Sequence, residues 1–319
     1  MIKIGMVLPH FGAGVSGSGL LRLATDCEAM GFDSVWVRDH FAYQPHRTDD
    51  PDRTFVDAFV VLAAVGAVTT SVQLGTATLI PFRHPIHAAR LVASLDMIAG
   101  SGRTIVGIGL GGSDREFALV GMDGWDRRKV VPEYVDIMRR LWRGEDVSYE
   151  GQFFSFENVC VRPAPSTVPP IWYAGMSPAA VRRAVLFGDG WMPSHTPMRV
   201  LHERVRLLRE LSDGEGRSAP LIAPIAYVVP EMAGVQLDGM RLLNEANYRY
   251  GQSGETPFRT LRDLAGMLIT GTDEEIVRGV RELEDAGASC VIFDLRLVFS
   301  RLLPVLDYLG ERVLPLLKQ

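Results

Sequence analysis

Lysine is nearly missing from this chain. Among its 33 Lys and Arg residues only Lys3, Lys129 and Lys318 are lysines, and the formal net charge is −5. No positive field exists here to attract nucleic acid or an anionic membrane surface. Cysteine is scarce too: Cys27, Cys160 and Cys290 are odd in number, far apart and set among apolar neighbours. That pattern fits buried thiols in a reducing compartment and not a disulfide framework. No uninterrupted apolar run is long enough to span a bilayer. Met1 to Pro9 alternates like a strand where a secretion signal would carry a long apolar stretch. These absences predict a soluble, cytoplasmic protein that works on a small molecule, with no nucleic-acid or membrane partner.

Chemical signatures are missing as well. The seven histidines are scattered, and neither a His-x-x-x-His pair nor an acidic cluster with metal-ligand spacing occurs, so no metal is expected. There is no Gly-x-Ser-x-Gly elbow. The glycine-rich stretch Gly12 to Gly19 lacks both the Rossmann spacing and the basic end of a P-loop. With no linker or low-complexity segment, residues 1–319 read as one domain.

What is present is alternation. Strand-like and helix-like stretches follow one another: strand Ile2 to Leu8, helix Gly19 to Met30, strand Ser34 to Val37, helix Asp57 to Val68, strand Val72 to Leu79, helix Pro85 to Ala99, strand Thr104 to Leu110, helix Arg127 to Trp142. Aromatic alternation around Gly151 marks Ser148 to Val161 as an inserted hairpin. The alternation resumes with Ile171 to Ala174, Pro178 to Phe187, Gly190 to Met192, Met198 to Leu211 and Leu221 to Val229. Gln236 to Ile269 reads as helices with a loop around Gly251 to Pro257. Helix Asp273 to Ala286, strand Cys290 to Leu295 and a closing helix Leu302 to Leu317 complete the chain. About eight strand–helix units predict an α/β protein, a single (β/α)8 TIM barrel with long loops in its C-terminal half; an open doubly wound sheet is the alternative.

In such a barrel the reactive groups follow the C-terminal ends of the strands. After the second strand comes Arg38-Asp39-His40-Phe41, an adjacent acid and imidazole suited to proton transfer. The competing reading makes Asp39 a cap and His40 a packing residue. His10, His84 and His195 stand on the same rim, and with Phe41 they are candidates for the substrate side. The fourth strand runs into Gly109-Leu110-Gly111-Gly112, whose backbone amides can approach a ligand closely. The fifth runs into Ala174-Gly175-Met176-Ser177-Pro178, which suits a phosphate or an ordinary Ser-Pro helix start.

The segments Glu28-Ala29-Met30-Gly31-Phe32-Asp33-Ser34-Val35-Trp36-Val37-Arg38-Asp39-His40-Phe41, Leu74-Gly75-Thr76-Ala77-Thr78-Leu79-Ile80-Pro81-Phe82-Arg83-His84-Pro85 and Gly188-Asp189-Gly190-Trp191-Met192-Pro193, with Gly271-Thr272-Asp273-Glu274-Glu275 near the end, resemble the luciferase-like monooxygenase superfamily over nearly the whole chain. The resemblance implies a cofactor seated in the barrel, either FMN or the deazaflavin coenzyme F420, with its phosphate near the fifth strand. Asp-His-Phe after the second strand looks like the deazaflavin branch, whose chemistry is hydride transfer. By the same resemblance Asp39 lies near the ring edge, His40 near the reacting carbon, and a non-proline cis peptide falls at Ala77-Thr78 against the ring. A homodimer is implied too. Two features depart from the sugar-phosphate dehydrogenases of that branch: no lysine falls at the mouth, and their glutamate after the fourth strand aligns with Gly112. The rival readings are an FMN-dependent monooxygenase and a cofactor-free binding or structural relative.

Overall fold

The first strand–helix–strand unit sets the pattern for the computed structural model, which describes residues 1–251 and 256–319. Strand β1 (Lys3–Val7) leads into helix α1 (Gly17–Met30). The helix begins where Ser16 Oγ accepts a hydrogen bond from Gly19 N–H, and it ends at Gly31, whose φ of 91° lies in the left-handed region. Leu20, Leu23, Ala24 and Cys27 form its buried face. Strand β2 (Ser34–Val37) then pairs parallel with β1.

The unit repeats through α2 (Ala58–Val68), β3 (Gln73–Thr76), α3 (Pro85–Ala99) and β4 (Thr104–Ile108). Helices α4 (Asp114–Leu119) and α5 (Arg127–Trp142) follow. Strands β5 (Val147–Glu150) and β6 (Ser155–Val159) make the antiparallel hairpin outside the main sheet. The chain returns through β7 (Ile171–Ala174), α6 (Pro178–Phe187), β8 (Gly190–Met192), α7 (Met198–Gly214), β9 (Leu221–Ile222) and β10 (Ile225–Pro230). It finishes with α8 (Gly239–Gly251), β11 (Leu268–Gly271), α9 (Asp273–Asp285), β12 (Cys290–Asp294), α10 (Leu302–Tyr308) and α11 (Leu314–Leu317).

The main sheet is parallel and has ten strands in the order β11-β10-β12-β1-β2-β3-β4-β7-β8-β9. It curls. Strand β12 lies directly beside β1, with Cys290 opposite Lys3, and just past β8 Ser194 bridges to Ile225 at the start of β10. An open doubly wound sheet does not set its first and last strands side by side in this way.

The expected strand Leu221 to Val229 is two strands, because Pro224 has no N–H to give the ladder; its carbonyl instead accepts from Ile292 N–H at 2.9 Å. Strand β11 begins inside Gln236 to Ile269, which reads as helix and loop in the sequence, and runs two residues past it. Its four residues are too few to show a period. The loop expected at Gly251 to Pro257 lies, over 252–255, outside the described residues. Among the described residues no helix is long and apolar enough to cross a membrane.

Two tryptophans fill the inside of the curl. The rings of Trp36 and Trp172 are 5.2 Å apart, and Trp36 Nε1–H donates to Ser34 Oγ at 2.8 Å. Gly5 and Gly75 on the neighbouring strands give Trp36 its space, and Gly190 does so for Trp172; a β-carbon at any of the three would overlap an indole. Gly75→Ala is therefore expected to cost about 1–3 kcal/mol, the range for overpacking a dense core, read as a lower urea midpoint by tryptophan fluorescence.

Candidate active site

The loops that follow the strands enclose a cavity of about 910 Å³ at the C-terminal mouth of the sheet. Asp39, His40, Ala77, Thr78, the turn Gly109–Gly112, the loop Ala174–Ser177 and His195 all line it. The Ala77-Thr78 peptide is cis. Three other candidates for the substrate side do not line the cavity. His10 is fully buried behind it: Nδ1 meets the Val56 carbonyl at 2.8 Å, and Nε2 accepts from Arg38 N–H at 2.9 Å. Burial pushes its pKa down to about 4, so it is a neutral wall residue. His84 caps α3 by accepting from Ile86 N–H at 3.3 Å and packs edge-on against Phe154 of the hairpin. Phe41 points out, 57% exposed.

Asp39 and His40 sit side by side but are held differently. Both oxygens of Asp39 receive Arg83, at 2.7 and 2.9 Å, and Oδ2 also accepts from Ile80 N–H at 3.1 Å. Burial opposes the Arg83 charge, but the bonds to Asp39 outweigh it and raise its pKa. Asp39 thus ties the second strand's loop to the third's. His40 is held through both ring nitrogens. Its Nδ1 lies 3.2 Å from Glu116 Oε2, and its Nε2 lies 3.2 Å from Arg38 Nη2. Because a guanidinium only donates, Nε2 carries the lone pair and Nδ1 the proton.

Glu116 lines the same cavity, a placement that the sequence hid. Ser113 caps α4 and accepts from Glu116 N–H at 3.3 Å, the usual setting for a capping box. The Glu116 side chain turns instead into the mouth, where Oε1 accepts from the amides of Phe41 and Ala42 at 2.8 and 2.9 Å. Burial pushes its pKa up, yet the bonds from His40 and these amides hold it below the ordinary range. A carboxylate thus reaches the mouth from four residues beyond Gly112.

The opposite end of the cavity suits an anion. Gly175 has φ 132°, where a side chain is strained and a β-carbon would crowd Ala180. Ser177 caps α6, so the helix N-terminus faces the mouth. Arg183 and Tyr173 line the same end, with the Tyr173 hydroxyl buried beside the Arg183 guanidinium.

Charged side chains then link the two sides of the mouth. Asp49 accepts from Arg38 Nη1 at 2.9 Å through one oxygen and pairs with Arg296 Nη1 at 2.7 Å through the other. Arg296 also grips Asp294, which meets His195 Nε2 at 3.0 Å. Burial would raise the pKa of both carboxyls, but the arginines, Arg296 foremost, hold them far below the usual range. Each therefore contributes stability that is present above the ordinary carboxylate pKa, near 4, and is lost as pH falls through the folded value. Asp49→Asn leaves two buried guanidiniums underpaired and is expected to cost about 3–5 kcal/mol. Urea titrations across pH check both points: the variant is weaker at pH 7, and its remaining stability falls less steeply in acid than the wild type's.

Comparison with known proteins gives these features a family. A luciferase-like monooxygenase model matches residues 2–290. The chain is 30% identical over 271 residues to the F420-dependent glucose-6-phosphate dehydrogenase of Microbacterium testaceum (strain StLB037), covering 83% of this chain and 74% of that protein. Its fold is similar to that of an F420-dependent secondary alcohol dehydrogenase (TM-score 0.78, 20% identity, 100% of this chain and 99% of that one). It is also similar to the monooxygenase RslO1 from Streptomyces bottropensis (TM-score 0.75, 25% identity, 98% and 99%). The curled parallel sheet, its mouth cavity and the match across nearly the full length agree: the chain belongs to the luciferase-like monooxygenase family.

Proposed function

We propose that this protein is an oxidoreductase that moves a hydride between coenzyme F420 and a small, partly apolar organic substrate, in one (β/α)8-barrel domain. The observation that carries the reading is His40, backed by Glu116, facing the same cavity as the glycine turn 109–112 and the loop 174–177. The 30%-identical F420-dependent relative supports the coenzyme.

The residues present fit such a group. Gly109 and Gly111 leave space that β-carbons would fill against Thr78 and Ile80, and the buried Tyr173 hydroxyl stands beside Arg183 at the anion end. Ala77, Thr78 and residues 109–112 would hold the ring, and residues 174–177 with Arg183 the phosphate. When bound, the deazaflavin supplies or takes the hydride. His40 keeps its proton at Nδ1 against Glu116, so Nε2 would exchange the substrate proton, and to do so it must first give up its bond from Arg38 Nη2. Asp39 and Arg83 fix the loop that carries it, and His46, which burial and Arg38 push down to about 3, stays neutral in the same wall.

A second reading, a monooxygenase on reduced FMN, is favoured by the 25% identity with RslO1. Titration with both cofactors, each oxidised and reduced and followed by tryptophan fluorescence, separates the two. Tighter binding of F420 is expected; preference for reduced FMN selects the second reading, and binding of neither selects a cofactor-free protein. In an active F420 assay, His40→Ala is expected to lower kcat by about 10²–10⁴-fold; unchanged turnover would remove His40 from the chemistry.

The same reading includes a homodimer in the cytoplasm. Free thiols at Cys27, Cys160 and Cys290 support the reducing compartment. Val60 on α2 and Met97 and Ile98 on α3 are 63%, 71% and 53% exposed, and α2 and α3 pack together. Apolar side chains exposed in a group mark an association surface. Light scattering is expected to give twice the chain mass for the wild type, and half that value for a Val60→Glu, Met97→Glu double variant.

A further inference from the structure

The far wall of the cavity carries a second ordered chain of hydrogen bonds, Asp294–His195–Ser194. Ser194 and His195 follow β8, four strands along the curled sheet from the β2 loop that carries His40. We propose that this chain fixes the Ser194 hydroxyl as an acceptor-only group, so that this wall selects a ligand presenting a hydroxyl and discriminates against the matching carbonyl.

His195 is held by its backbone and by its ring. Its backbone has φ 49°, in the left-handed region, its N–H donates to Ile225 O at 2.7 Å, and its carbonyl accepts from Tyr250 Oη–H at 2.8 Å. Its ring stacks on Tyr227 with centroids 3.8 Å apart and an interplanar angle of 19°. The imidazole cannot turn without breaking these contacts. Nε2 lies 3.0 Å from Asp294 Oδ2, and Asp294, fully buried, is kept ionised by Arg296. An ionised carboxylate only accepts, so Nε2 bears the proton.

The ring is neutral. Burial lowers its pKa to about 4, a fall that Arg296 and Arg249 reinforce and Asp294 only partly offsets; Tyr227 and Tyr250 are the other titratable groups packed on it. Nδ1 of a neutral ring protonated at Nε2 has a bare lone pair, and Ser194 Oγ is 2.9 Å away. The serine hydroxyl must donate to it. Only the oxygen lone pairs of Ser194 then remain for the cavity that it lines. A ligand hydroxyl can donate to them, whereas a carbonyl oxygen meets lone pair with lone pair.

The inference rests on the proposed function only in taking the cavity as the substrate site, and its test needs no coenzyme. Ring-nitrogen NMR of 15N-histidine-labelled protein, with His195 assigned by its loss in His195→Gln, is expected to show Nε2 protonated and Nδ1 bare from about pH 5.5 upward. Cyclohexanol and cyclohexanone, matched in shape, serve as probes. Cyclohexanol is expected to shift the Nδ1 signal and to bind about five- to tenfold more tightly than the ketone, the effect of one neutral hydrogen bond. Ser194→Ala is expected to abolish the shift and equalise the two, and Ser194→Thr to restore the difference. The opposite tautomer, equal responses to both probes, no response to either, or an undiminished response in Ser194→Ala overturns the proposal. A protein that binds neither F420 nor FMN but still selects cyclohexanol loses the coenzyme reading and keeps this one.

Discussion

A carboxylate between two guanidiniums organises the mouth of this protein. Asp49 belongs to the loop after β2, and its partners Arg38 and Arg296 belong to the ends of β2 and β12. The same carboxylate accepts from Tyr43 Oη–H and His46 N–H, both at 2.9 Å. Burying three charges is costly unless each finds its complement, and here each does: Arg38 leads on to His40, and Arg296 to Asp294 and His195. Asp49 touches neither imidazole, but it holds the guanidiniums that do the next binding: Arg38 on His40 and Arg296 on the partner of His195. The two histidine-bearing sides of the cavity are thus linked by one long-range contact, between residues 247 positions apart in the chain.

Much of this architecture was legible in the sequence, and the reason is local. Helices α3, α5 and α6 span the residues that their patterns predict, because Pro85, Asp126 and Ser177-Pro178 mark their starts with chemistry confined to one turn. The cavity-lining loops were legible too, since a residue just past a strand end has its position fixed by the sheet. His84 and His10 show the limit of that rule. Both stand past strand ends, but the first spends its ring on a helix cap and the second on two backbone groups.

What the sequence concealed travels on long side chains. Glu116 looks like the N3 residue of a capping box, and only the fold shows its carboxylate reaching residues 40–42. Asp49 lies in a polar run, Arg47 to Arg53, that resembles any solvated loop. Asp294 looks like one more residue at the end of a buried strand, and its partner at 195 is 99 residues away. Spacing along the chain carries no trace of contacts of this kind.

The paired indoles beneath the cavity have a consequence for how such a site can diversify. Trp36 and Trp172 stand where they do because Gly5, Gly75 and Gly190 lack side chains. Depth is therefore a property of five positions on separate strands, and no single replacement among them is neutral to the others. The mouth is built from loops whose residues are replaceable one at a time. A lineage descended from this fold inherits its floor as a block and varies at the rim, so related chains are expected to differ far more in what they admit than in how deep it sits.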